Sequence, residues 1–302
     1  MYASLSNNTM KQYDTGLKRW FLFCQSHSVD LYEASVPNII YFLTKQFNNG
    51  AQYGTLNSYR SALSLIIGSR IGTDDRIIRL FKGFYKLRPP LPRYNETWNP
   101  SIVLNYLSQC YPNDKLDLEC LTKKTVALIA LVTAHRVQTI SKINIKNISV
   151  NSDHISIKIP DLIKTSRIGS TQPCLHLPFF SQQPEICPAE ALRAYISKTQ
   201  TIRGAQENLF ISYKSPYNSV NSQTLSRWIK NVLCDSGVDT SKFKAHSTRH
   251  ASTSAALRSG VSIDLIRKTA GWSGSSSVFA RFYQRPVLTD NANDFAVSVL
   301  ES

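Results

Sequence analysis

Three prolines in four positions, Pro89, Pro90 and Pro92, interrupt the chain within Leu87-Arg-Pro-Pro-Leu-Pro-Arg93. Proline holds φ near about −65°, donates no backbone hydrogen bond and pushes the residue before it out of the helical region. No helix or central strand passes through such a stretch, so it reads as a stiff, extended connection. It divides the 302 residues into a first part over 1–88, a linker over 89–98 and a second part over 99–302.

The first part has helical spacing of its apolar residues throughout. Tyr13, Leu17, Trp20, Phe21 and Cys24 predict one helical face, with Thr9 as its cap. A second helix begins near Ser35, tolerates Pro37 in its first turn and buries Ile39, Ile40, Leu43 and Phe47. A third carries Leu56, Tyr59, Leu63, Ile66 and Ile67, and a fourth Ile77, Ile78, Phe81, Phe84 and Tyr85. Around that last stripe stand Arg76, Arg79, Lys82, Lys86 and Arg88, with Arg93 in the linker. Such a charge run by itself describes no more than a solvated face.

In the second part, residues 101–110 and 116–134 predict helices, the latter buried because Ala-Leu-Ile-Ala-Leu-Val is apolar all round. The period then shifts towards two. Ile143, Ile145, Ile148 and Val150, then Ile155, Ile157 and Ile159, read as short strands around a turn at Asn151-Ser-Asp153. Cys174–Leu177 predicts a third strand. Helices follow at 188–199, 221–235, 246–259, 261–270 and about 275–284. The expected fold class is mainly α (α+β): a helical domain, then a mixed helical domain with a small antiparallel sheet.

Composition narrows the functional classes. Lysine and arginine number 35 against 20 acidic residues, a formal charge of +15, which attracts polyanions and nucleic acid first among them. A hydrophobic fraction of 42% supports real cores rather than a disordered polymer. The six cysteines form no C-x-x-C pair, and reduced, mostly buried thiols are expected. No signal-peptide core and no apolar run of about 18 residues occurs, so neither a membrane partner nor secretion is expected.

Chemistry concentrates towards the C-terminus. Lys244-Ala-His-Ser-Thr-Arg-His-Ala-Ser-Thr-Ser-Ala-Ala256 is followed by Ala270-Gly-Trp272 and by Phe279-Ala-Arg-Phe-Tyr283. This order of H-x-x-R, Gly-Trp and Tyr resembles the catalytic end of the tyrosine recombinase (phage integrase) family. The likeness extends upstream. Thr133-Ala-His-Arg-Val-Gln-Thr-Ile140 resembles the family's first arginine motif, and Lys164 lies between two predicted strands as the family's hairpin lysine does. The amino-terminal helices are similar to its core-binding domain. Phe279-Ala-Arg-Phe-Tyr-Gln-Arg-Pro-Val287 and the His246–Ser252 run look most like recombinases of eukaryotic mobile elements, which implies a nuclear location; otherwise the chain would work in the cytoplasm with the nucleoid.

The resemblance assigns roles that the residue types can perform. A phosphodiester repels nucleophiles and gains negative charge when attacked. Arg136 and Arg249 would hold its non-bridging oxygens and neutralise them. Tyr283, a weak nucleophile at its ordinary pKa of about 10, would attack while His246 takes its proton. Lys164 would protonate the departing 5′ oxygen, and Trp272 would offer its indole N–H to a phosphate oxygen. The product would be a 3′-phosphotyrosine that another strand's 5′ hydroxyl can reverse, with no metal and no small-molecule cofactor. The partners implied are double-stranded DNA and further copies of the chain, as a homotetramer on two sites. Arg76, Arg79, Lys82, Lys86, Arg88 and Arg93 are expected at phosphates, and an amphipathic tail, Asp290–Leu300, is expected to dock on a neighbouring subunit or on its own domain.

Two departures from the family pattern stand out. Thr139 occupies a position where the family often has Glu, and Tyr283 comes eleven positions after Trp272, a longer step than usual, with Ser273-Gly-Ser-Ser-Ser277 inside it. The spacing leaves room for a DNA-binding protein that has lost catalysis, and a type IB topoisomerase shares this chemistry; both stand as alternatives. A metal site built on His246 and His250, four residues apart, lacks a third ligand with recognisable spacing.

Overall fold

The computed structural model describes residues 4–166, 169 and 171–272. The chain forms two compact units, Met1–Arg93 and Tyr94–Ser302.

Among the described residues the first unit contains five α-helices: α1 (Asn7–His27), α2 (Val36–Asn48), α3 (Tyr53–Ile66), α4 (Arg70–Thr73) and α5 (Asp75–Leu87). Each long helix starts where the local chemistry permits. Ser35 caps α2 by accepting from Asn38 N–H, Pro37 sits in the first turn, and Asp74 caps α5 through Arg76 N–H. In α1 the cap is Ser6, which accepts from Thr9 N–H, so the expected cap Thr9 lies one turn inside the helix. Trp20, Phe42, Leu43, Leu56, Leu63 and Ile77 are at the centre of the unit's core. Phe21 is exposed and Phe23 takes the buried place expected of it; Tyr85 is likewise exposed. Helices α1 and α3 approach closely at Gly16, where an added Cβ would stand 2.7 Å from Tyr59 Cδ1.

The second unit begins within the expected linker. Tyr94, Thr97 and Trp98 are buried in it, so only the proline-containing half of 89–98 is connection. Its helices are α6 (Pro100–Gln109), α7 (Leu118–Thr133), α8 (Val137–Ile140), α9 (Pro188–Thr199), α10 (Ser222–Asp235), α11 (Ser247–Arg258) and α12 (Ile263–Thr269). As its all-round apolar sequence requires, α7 is buried along most of its length, with α9, α10 and α11 packed about it. Strands β1 (Ile148–Val150), β2 (His154–Lys158) and β3 (Cys174–Pro178) form an antiparallel sheet in sequential order. Ile155 pairs with Leu177 and Ile157 with Leu175, and these four side chains form its buried face.

The strand expected from Ile143 starts later, at Ile148. Asn144 folds its side chain onto Lys146 N–H and closes a 3₁₀ turn over Ile145–Asn147. Backbone groups of Ile143 and Ile145 pair instead with Leu209 and Glu207. Val150, expected inside, is exposed at the sheet's edge strand. The thiols depart from expectation too: all six cysteines are free, but only Cys24 and Cys187 are buried. Among the described residues no helix is long and apolar enough to cross a membrane.

Candidate active site

Helix α11 is the unusual element. Its sequence Ser-Thr-Arg-His-Ala-Ser-Thr-Ser has almost no apolar side, yet Ser247, Thr248, Arg249, His250, Thr253 and Ser254 are all buried. Burying polar groups costs free energy unless each finds a partner. The hydroxyls do: Thr248 donates to Ala245 O at 2.7 Å, Thr253 to Arg249 O at 2.7 Å, and Ser247 accepts the Trp98 indole N–H at 2.9 Å.

Arg249 is only 1% exposed. Its Nη1 donates to Ala134 O at 2.5 Å and to Ala270 O at 2.7 Å, and its guanidinium carbon lies 3.7 Å from the centre of the Trp272 ring. Two carbonyls and an aromatic face offset the desolvation of the cation. The two carbonyls belong to the C-cap of α7, where Ala134 turns left-handed at φ 48°, and to the C-cap of α12. One arginine thereby gathers the ends of two helices.

Arg136 follows the α7 cap by two residues and stands at the N-cap of α8, half-buried. Next to it in sequence, and within electrostatic reach of Arg249 as well, is His135, 5% exposed, whose ring bonds to the backbone of Thr269. Burial first, then Arg249 and Arg136, push its pKa down from an ordinary 6.5 to about 4, so the ring is neutral at neutral pH. Its ring packs against Gly271, which has φ +67° and where an added Cβ would stand 2.9 Å from His135 Cε1. The glycine of the Gly-Trp pair is thus needed both for its backbone conformation and for the histidine beside it.

His246 is exposed at the N-cap of α11, one turn before Arg249. Its ring meets His250 edge to face at 5.5 Å, and His250 meets Tyr94 in the same way at 5.2 Å. Lys164 is exposed in the turn between β2 and β3, which is closed by Ser166 N–H donating to Ile163 O at 3.0 Å. Its neighbours Ile163 and Thr165 line a cleft of about 660 Å³ whose other walls include His135, Lys268, Gly271 and Trp272. The structure therefore brings Arg136, Arg249 and Trp272 together around His135, with His246 on the same helix as Arg249 and the Lys164 turn across a shared cleft. Tyr283 and the tail Asp290–Leu300 lie outside the described residues. Among those described, no group of three or more His, Cys, Asp or Glu side chains could hold a metal.

The expected DNA-contacting residues are placed unevenly. Arg76, Arg79, Lys82 and Lys86 are exposed and recur at three- and four-residue steps, so they share the face of α5 opposite buried Ile77, Phe81 and Phe84. Arg76 is paired with Asp74 at 2.8 Å and holds that carboxyl's pKa down at about 2. Arg93 is exposed. Arg88 turns inwards: its guanidinium covers the Phe47 ring at 4.3 Å and donates to Phe47 O and Ala51 O.

Sequence reasoning misses His135, Tyr94 and Trp98. The first is signalled only by adjacency to Arg136. The other two fall in the expected linker, which runs from the prolines to the start of the second part expected at residue 99.

Residues 107–286 match the phage integrase family model, and the chain belongs to that family, the tyrosine recombinases. No curated protein matches it. Among solved structures it is similar to XerH site-specific recombinase in a post-cleavage complex with palindromic difH substrate (14% identity, 97% of this chain and 80% of that one, TM-score 0.62). It also resembles the Tn1549 transposon integrase in complex with circular intermediate DNA (12% identity, 100% and 95%, TM-score 0.60). A third likeness is to residues 75–356 of lambda integrase bound to DNA (14% identity, 96% and 94%, TM-score 0.56). At these identities the likeness establishes the fold: mainly helical, with the small antiparallel sheet.

Proposed function

We propose that the chain is a site-specific DNA recombinase or integrase that cleaves and rejoins strands through a 3′-phosphotyrosine formed by Tyr283. The observation that carries this reading is the convergence of Arg136, Arg249 and Trp272 at the ends of α7, α11 and α12. Two cations near one another, one of them Arg249 fixed by two carbonyls, suit an anionic, five-coordinate phosphorus, and removing one such donor typically costs about 10²–10³ in rate.

In the proposed step the Tyr283 oxygen bonds to phosphorus and the bond to the 5′ oxygen breaks. His246 accepts the phenolic proton, and Lys164 supplies a proton to the leaving oxygen. Re-ligation runs the same step backwards with a different 5′ hydroxyl. Double-stranded DNA is the proposed partner, supported by the +15 charge, the exposed basic face of α5 and the DNA complexes in which structural neighbours were solved. A tetramer on two duplexes is the proposed assembly, since strand exchange needs four cleavage events; one neighbour, lambda integrase, was solved as a tetramer on a Holliday junction. The mobile-element resemblance supports a nuclear location.

The test uses a suicide duplex built from the DNA flanking the gene, nicked so that the cleaved end is lost. The wild type should form a covalent protein–DNA adduct on a denaturing gel, and Tyr283→Phe should form none. Binding of that duplex without an adduct would leave the second reading, a DNA-binding relative without catalysis, which the long Trp272–Tyr283 spacing favours. Relaxation of arbitrary plasmid without site-specific joining would indicate a topoisomerase.

A further inference from the structure

Tyr94 and Trp98 open the second unit, about 150 residues before α11 in sequence, yet both are built into that helix's foundation. Trp98 is 1% exposed, and its indole N–H donates to Ser247 Oγ, itself fully buried, at 2.9 Å. The Lys244 N–H donates to Tyr94 Oη at 3.3 Å, and the Tyr94 ring lies edge to face with His250 at 5.2 Å. These anchors bracket His246, one residue before Ser247 and two after Lys244. Ser247 N–H donates in turn to Lys244 O at 2.7 Å, closing the backbone turn that carries His246.

His246 is exposed, and its side chain makes no capping bond to α11. The direction of its ring is set by the His250 ring that it meets at 5.5 Å and by the backbone beneath both. That backbone is pinned on both sides by the Tyr94–Trp98 segment. The buried indole N–H of Trp98 needs a partner, and the one it finds is the Ser247 hydroxyl inside the motif.

We propose that Trp98 and Tyr94 are positioning residues for the proton acceptor His246, so that the segment following the basic linker forms the back wall of the active site. The proposal rests on the recombinase reading. Near-attack geometry is sensitive to shifts of about 1 Å, so loosening this turn reduces the rate of cleavage while leaving DNA binding in place.

The experiment measures single-turnover adduct formation on the same nicked suicide duplex at saturating protein, across pH, for wild type, Trp98→Phe, Tyr94→Phe, Ser247→Ala and the W98F/S247A double variant. Duplex affinity and thermal stability are measured alongside. The expected result for W98F is a rate lower by roughly ten- to a hundred-fold, with affinity within about two-fold of wild type and a displaced acid limb of the pH–rate profile. The double variant should be no slower than the slower single one, because both remove one bond. The proposal is overturned if W98F cleaves like wild type, or if its rate per folded molecule and its pH profile are unchanged while only its melting temperature falls. Should W98F not fold, Tyr94→Phe and Ser247→Ala, which each remove a single hydroxyl, decide by the same criteria. A wild type that binds the duplex without forming an adduct overturns the functional reading and this one together; an active wild type with unaffected variants overturns this one alone.

Discussion

His135 feels the charge of both Arg249 and Arg136, and its protonation would add a third positive charge to theirs. Its pKa, lowered from 6.5 to about 4, means that the unfolded chain binds a proton between these values and the folded chain does not. Unfolding therefore becomes easier as pH falls through that window. The stabilisation is fully present above about pH 6.5 and fades towards pH 4, amounting to something on the order of 3 kcal/mol. His135→Gln should flatten this part of the stability–pH curve, which urea unfolding of both proteins at pH 7 and pH 4.5 measures; parallel curves would contradict it. Gly271→Ala attacks the same packing from the other side. With φ at +67° and its Cβ 2.9 Å from the His135 ring, it should destabilise the second unit by about 1–3 kcal/mol. An unshifted urea midpoint would mean that the ring yields without cost.

Elements follow local rules where the rules have no competitor. Helix α9 runs Pro188–Thr199, as its periodicity and N-terminal proline require, and α7 begins after Asp117, whose side chain accepts from Cys120 N–H at 2.6 Å. Asp117→Ala should lower stability by about 1 kcal/mol without altering the fold, a drop of a few degrees in a thermal melt. No change would mean that water replaces the cap. The start of β1 shows the opposite case. Alternating isoleucines at 143 and 145 read as strand, but the Asx turn at Asn144 and pairing with residues 207–209 take those backbone groups first. Period-two patterning records which side chains go inside, and it does so equally for a strand and for an extended segment bonded elsewhere. Helix α11 is legible only through its motif. Its residues have no apolar face, so periodicity is silent about a helix whose buried side is polar.

At the scale of the whole molecule, the basic residues of α5 and its C-cap separate into two kinds. On the proposed reading, Arg79, Lys82 and Lys86 meet phosphates from one exposed face. Replacing all three by Gln should weaken DNA binding and flatten the plot of log affinity against log salt by up to about 0.9 for each phosphate no longer neutralised. Arg88, packed on Phe47 and bonded to two carbonyls, belongs to the fold: Arg88→Gln should lower the melting temperature and leave the salt slope unchanged. A flattened slope for R88Q, or an unchanged one for the triple variant, would reverse the assignment.

The amino-acid sequence by itself determined the division near the prolines, the placement of the long helices and the family's catalytic pattern. Prolines, caps, apolar periods and short motifs act through neighbours within a turn or two, so they can be read along the chain. Only the tertiary structure decided that Arg249 grips the ends of α7 and α12, that His135 is buried against Gly271, and that Tyr94 and Trp98 leave the linker to bond to Lys244 and Ser247. These interactions join residues up to about 150 positions apart, and they are set by burial: a polar group taken out of water must find whichever partner the packed core presents.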